Sequence, residues 1–170
     1  MGIRTVRTEG DECLRKVCKP VKSVSLRTRI LIEDMFDTMY ESGGVGLAAP
    51  QIGVLKRIVV MDTDDNQHVL INPQILEVSG EQTGYEGCLS IPGKSGIVTR
   101  PDYVKVEEYV LEGEGLLARC ICHECDHLDG ILYSDKAEGG LINNEDLPED
   151  EEEELYEDAY EEFTEEEIHK

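Results

Sequence analysis

No stretch of this 170-residue sequence approaches the roughly 18 consecutive apolar residues that a membrane-crossing helix requires. Residues 1–10 lack the apolar centre of a secretory signal, and Val6 stands where the myristoylation pattern opened by Met1-Gly2 calls for Ser or Thr. Positive charge is scarce, with 16 Lys and Arg against 38 Asp and Glu and a formal net charge of −22. A field of that sign repels phosphates and anionic lipid, so neither direct nucleic-acid binding nor membrane association is expected. A soluble cytoplasmic protein is the expectation. Without a secretory signal, the six cysteines are read as free or metal-bound thiols rather than as a disulfide framework.

What is present suits one globular domain and a tail. Hydrophobic residues make up 39% of the chain, enough to bury a core, and no Gly/Ser linker divides it. Residues 145–170 carry −14 of the charge and residues 1–144 only −8. The boundaries expected are therefore a globular domain over 1–144 and an acidic amphipathic helix or tail over 145–170. In that tail Leu155, Tyr156, Ala159, Tyr160 and Phe163 recur on one helical face, and Pro148 suits a helix start. A disordered charge run is the alternative, but it leaves the stripe unexplained.

Periodicity predicts the remaining elements. Ser25 caps a helix to about Glu41, with Ile32, Met35, Phe36, Met39 and Tyr40 as its apolar stripe. Strands are expected at Lys56–Asp62, His68–Ile71, Gln74–Ser79, Ile97–Arg100 and Tyr103–Val110, with a turn over Asp62–Gln67. A second helix follows Gly113 and Gly115, places Leu116, Leu117, Cys120, Ile121, His123, Glu124 and His127 at helical spacing, and stops at Gly130. Strands first and this helix later give an α+β class, mixed or antiparallel strands around a central helix.

That helix carries the chemistry. Cys122-His123-Glu124-Cys125-Asp126-His127 holds an H-E-x-x-H, which sets two imidazoles one turn apart on one face beside a carboxylate. Two buried, hydrogen-bonded core histidines are the plain alternative. A catalytic metal needs a third protein ligand and an open position for water. Cys120 shares the face but sits too far along the axis, while Cys122 and Cys125 point elsewhere, so the ligand comes from another part of the chain. A zinc knuckle built from Cys122, Cys125, Cys13 and Cys18 is disfavoured because the first pair lies inside the helix.

Two further segments are shaped for a ligand. Gly44-Val45-Gly46-Leu47-Ala48-Ala49-Pro50-Gln51 lets backbone approach closely and ends in an amide donor. Glu86-Gly87-Cys88-Leu89-Ser90 sets a thiol between glycine and a segment ending at Pro92. Each alone is weak. In this order, GVGLAAPQ, EGCLS and HECDH resemble the three motifs of the peptide deformylases, over roughly residues 1–140.

The resemblance implies metal ligation by Cys88, His123 and His127, and release of formate from N-formylmethionine at the start of new polypeptides. It implies Glu124 as the proton carrier, with the Gln51 side chain and Leu89 N–H as donors to the developing oxyanion. Gly46 would contact the substrate backbone, and Val45, Gly87 and His123 would border the methionine pocket. It also implies ferrous iron as the physiological ion, replaceable by zinc, nickel or cobalt, and a pairing of Glu86 with Arg100. Any ribosome contact is expected through protein. Val104 to Leu116 is shorter than the implied strand, turn and strand, which argues against a hairpin there. Two rivals remain open: a zincin-type endopeptidase with a downstream ligand such as Asp135 or His169, and a noncatalytic protein of the same fold that captures formylated peptides.

Overall fold

A computed structural model describes residues 2–107 and 111–148. Among the described residues two helices, α1 (Leu26–Glu41) and α2 (Gly115–Leu128), pack against nine strands in three antiparallel three-stranded sheets. The strands are β1 (Gly46–Ala48), β2 (Ile58–Thr63), β3 (Asn66–Ile71), β4 (Gln74–Ser79), β5 (Gln82–Cys88), β6 (Ile91–Arg100), β7 (Tyr103–Glu107), β8 (Leu111–Glu114) and β9 (Glu138–Asn143). The sheets run β1-β2-β3, β4-β7-β8 and β5-β6-β9.

Period-two alternation along β2 explains how two helices share one sheet. Ile58 and Val60 join Leu31, Met35 and Met39 of α1, whereas Val59 and Met61 join Ala118, Ile121 and Leu128 of α2. Both faces of the strand are thereby buried. A third cluster, of Leu14, Ile91, Val98, Leu132 and Tyr133, backs the β5–β6 hairpin.

Helix α1 begins where expected, its Ser25 side chain accepting from the Thr28 N–H. The turn between β2 and β3 is tighter than Asp62–Gln67: pairing runs to Thr63 opposite Asn66, leaving only Asp64 and Asp65, both at positive φ, as a primed two-residue turn requires. The strand expected at Ile97–Arg100 starts at Ile91, because pairing with β5 continues past the glycines that would otherwise break it. The shortened stretch does form a hairpin, with β7 and β8 paired from Tyr103 opposite Glu114 to Val106 opposite Leu111. All six cysteines are free. The apolar tail stripe from Leu155 to Phe163, and the acidic helix expected there, lie outside the described residues.

Candidate active site

Three elements converge. Strand β5 ends at Cys88, and Leu89-Ser90 forms the two-residue turn into β6, so the thiol stands at a hairpin tip. Helix α2 brings His123 and His127, and β1 with the turn after it brings Gly46 and Gln51.

One ligand atom from each of Cys88, His123 and His127 lies within 4.8 Å of the others. Nε2 of His127 is 3.3 Å from Cys88 Sγ. Nδ1 of His123 is 2.9 Å from Glu86 Oε2, which leaves its Nε2 for ligation. Burial works against a charged His123, yet hydrogen bonding to Cys88 and Glu86 overrides it and raises its pKa well above the ordinary value. His127 is shifted the other way, by burial first and then by the charges of His123 and Arg100. A soft sulfur and two imidazole nitrogens gathered within 4.8 Å of one another fit a divalent metal of the transition series. The helical alternative of two satisfied core histidines does not account for a thiol drawn to the same point.

Glu124 is 4% exposed, and its Oε2 has no hydrogen-bond partner among the described residues. Burial pushes its pKa up to about 7, the nearby His123 working in the opposite sense. Gly46 explains how the carboxylate fits: a Cβ there would lie 2.5 Å from Glu124 Oε1 and 2.8 Å from Cys120 Sγ. Replacing Gly46 with Ala should therefore displace Glu124. The expected result is a folded protein that turns over slower by on the order of 10²-fold, the loss typical of a misplacement near 1 Å. Circular dichroism together with steady-state kinetics checks this, and unchanged kcat would show that the contact is relieved elsewhere.

Gln51 is fixed at both ends. Its Oε1 accepts from the Ala48 N–H at 2.8 Å, and its Nε2 lies 3.2 Å from Ser90 Oγ and 3.6 Å from Cys88 Sγ. Leu89 follows the thiol directly, and its side chain covers Gly44, where a Cβ would meet it at 2.7 Å. Val45 and Gly87 lie on the open side, half-buried and exposed respectively. Among the described residues β1 pairs only with β2, so its other edge is free to meet a backbone.

Beneath the thiol lies a buried charge network. Arg100 donates to both oxygens of Glu86 at 2.8 and 2.9 Å, the pairing expected from sequence, and a third bond runs to Asp126 at 2.6 Å. Sequence reasoning missed Arg119, which donates to Glu86 Oε1 at 2.8 Å and to the Val98 carbonyl at 3.1 Å. Its position one turn before His123 is the only sequence signal that could have found it. Ser90 was also missed. It accepts from Gln51, and its N–H donates to Cys88 Sγ at 3.4 Å.

Burial alone would raise the pKa of Glu86, but the hydrogen bonds it accepts from Arg100 and His123 override it and hold the carboxyl well below the ordinary range. Glu86 is thus lower in the fold than in the unfolded chain, so its stabilisation is complete above the usual carboxylate pKa and is lost as acid titrates it. Glu86→Ala leaves two guanidinium groups short of their partner and should cost about 3–5 kcal/mol, read by denaturant unfolding. A loss within the surface range of about 0.5 kcal/mol would mean that Asp126 alone suffices.

The downstream candidate Asp135 is engaged elsewhere, bound by Arg15 and by the Leu132 N–H, and His169 lies outside the described residues. Cys122 and Cys125 are buried in the core cluster around Ile121.

The family model for polypeptide deformylase matches residues 3–140. A peptide deformylase of Agathobacter rectalis is 60% identical over 148 residues, covering 83% of this chain and 94% of that protein. One from Lachnoclostridium phytofermentans is 54% identical over 163 residues, covering 90% and 100%. Among solved structures, the peptide deformylase of Legionella pneumophila superposes with a TM-score of 0.77 at 39% identity, over 93% of this chain and 94% of that one. That of Thermotoga maritima gives 0.78 at 40% identity, over 81% and 99%.

Proposed function

We propose how the site works from the premise that this chain belongs to the polypeptide deformylase family. The protein is a hydrolase that removes the N-formyl group from newly made peptides, releasing formate. The gathering of Cys88, His123 and His127 beside a buried Glu124 carries the assignment of residues to steps.

Cys88, His123 and His127 would hold one divalent cation, which when bound polarises the formyl group and makes water more acidic. Glu124, poised by burial near neutrality, takes a proton from the attacking water and passes it to the departing amine nitrogen. The C–N bond breaks, leaving formate and a free amino terminus. Charge growing on the formyl oxygen is met by the Gln51 amide, which Ala48 fixes in place, and by the Leu89 N–H. Such donors cost little reorganisation because their partners hold them beforehand.

The free edge of β1 at Gly46 takes the substrate backbone as an added strand. Val45, Gly87 and the ring of His123 border the slot for the first side chain, where a flexible thioether packs well. Ferrous iron is the physiological ion in this reading, with zinc, nickel or cobalt as substitutes, and an iron-bound thiolate makes the activity oxygen-sensitive. The work is done in the cytoplasm on emerging chains, by residues 1–144, with any ribosome contact through protein.

The test is formate release from formyl-Met-Ala-Ser by anaerobically iron-loaded protein. Internal cleavage of a blocked peptide without formate release would favour the endopeptidase reading. Binding of the formyl peptide without turnover would favour a capture protein, against which the intact Glu124 and Gln51 argue.

A further inference from the structure

Half of the positive charge of this acidic chain is packed into its first 30 residues, which hold eight Lys and Arg against three Asp and Glu. Several of these have local partners: Arg4 with Asp34, Arg7 with Asp11, Arg15 with Asp135, and Lys16 with Glu12. Lys22, Arg27 and Arg29 are exposed and form no ion pair among the described residues. They surround an apolar strip. Leu26 and Ile30, one turn apart on the outer face of α1, are 73% and 42% exposed, and Val24 just before them is 50% exposed.

The placement of charge on α1 runs against its dipole. The first turn has no acid but carries Arg27 and Arg29, and the last turn has no base. As an isolated surface this end of the helix is electrostatically unfavourable. An acidic group lying over it would reverse the sign.

The chain itself supplies one. Residues 149–170 contain 13 acids and one Lys, with Leu155, Tyr156, Tyr160 and Phe163 at helical spacing. At about 1.5 Å per helical residue, or roughly 3.3 Å when extended, 22 residues reach any face of a domain about 35–40 Å across. Two other exposed apolar patches are the wrong match: Ile3 and Tyr40 border Asp37 and Glu41, and Ile75, Leu76 and Val78 lie on β4; for the β4 strip the surroundings are acidic as well. Its neighbours are Glu77, Glu107 and Glu112, and Lys105 already bridges Glu77 and Glu112.

We propose that residues 149–170 dock on the outer face of α1, the Leu155, Tyr156, Tyr160 and Phe163 stripe against Val24, Leu26 and Ile30, with its acids over Lys22, Arg27 and Arg29. The proposal is independent of how the catalytic residues are assigned. The tail thereby covers an apolar surface and neutralises the positive end of the molecule.

Zero-length carbodiimide cross-linking of the full-length protein at low salt, followed by peptide mapping of the monomer band, tests it. Links from Lys22 to acids of 149–170 are expected, and they should disappear in 0.5 M salt, where screening shortens to a few ångströms. They should also disappear in the Arg27→Glu/Arg29→Glu variant and weaken in Leu26→Ser/Ile30→Ser. Thermal melts give a second reading. With no docked tail, placing acids in the first turn of α1 would raise Tm; with the tail docked, the double charge reversal lowers Tm at low salt and the difference shrinks at high salt. A raised Tm, tail links only to Lys94, Lys105 or Lys136, or Lys22 links found only in dimers, would overturn the proposal.

Discussion

Replacing Cys88 with Ser should empty the metal site and take formate release with it. The oxygen of serine keeps its proton near neutrality, whereas thiol sulfur loses its proton readily beside a cation and bonds soft metals well. Two imidazoles alone, one turn apart on α2, leave the ion with a weak pair of neutral ligands. Losing an outer partner of a ligand costs metal sites about 10- to 100-fold in affinity, so losing the ligand itself should exceed about 10²-fold. The fold should survive, because Cys88 sits at a hairpin tip where neither side of the β5–β6 ladder depends on its side chain. Metal per chain by atomic emission and formate by coupled assay give the two readouts. Full metal content with unchanged turnover would make Cys88 a bystander and return the question to a ligand elsewhere.

Glu124→Ala should separate binding from chemistry. Glu124 is not among the three converging donors, so metal content should stay near that of the unaltered protein. What disappears is the group that moves the proton, typically worth 10²- to 10⁴-fold in rate, and KM should change little. The substitution also removes a buried carboxyl with an unpartnered oxygen, so stability should hold or rise. Glu124→Gln keeps the shape and should lose the same rate. Turnover matching that of the unaltered protein in both variants would exclude Glu124 as the proton carrier.

The central helix was legible because three signals coincide on it: the H-E-x-x-H pair, the apolar spacing through Leu117 and Ile121, and a glycine stop at Gly130, which adopts positive φ. The Ser25 cap was equally plain. The Glu86–Arg100 pair followed from family resemblance and from the need of a buried acid for a partner. Other elements gave no local sign. Strand β1 is three buried residues without alternation, and β9 carries Gly139 and Gly140, both at positive φ, so its strand character comes only from pairing with β6. Arg119 stayed hidden for the same reason: its partners, Glu86 and the carbonyls of Val98 and Gln82, lie on two strands distant in sequence. Burial expressed as periodicity can be read from a chain, but pairing across sheets cannot.

Strand β2 ties the molecule together in a way that bears on how it comes apart. It is hydrogen-bonded to β1 on one side and β3 on the other, and its alternate side chains belong to the cores of α1 and α2. Neither helix can leave without exposing half of the same four residues, Ile58 to Met61. The two cores therefore melt as one cooperative unit, with the amides of β2 among the last to exchange with solvent. Helix α2 inherits that rigidity and cannot fray by itself, although Gly46, whose missing Cβ makes room for Glu124, lies buried on the edge strand of the same sheet.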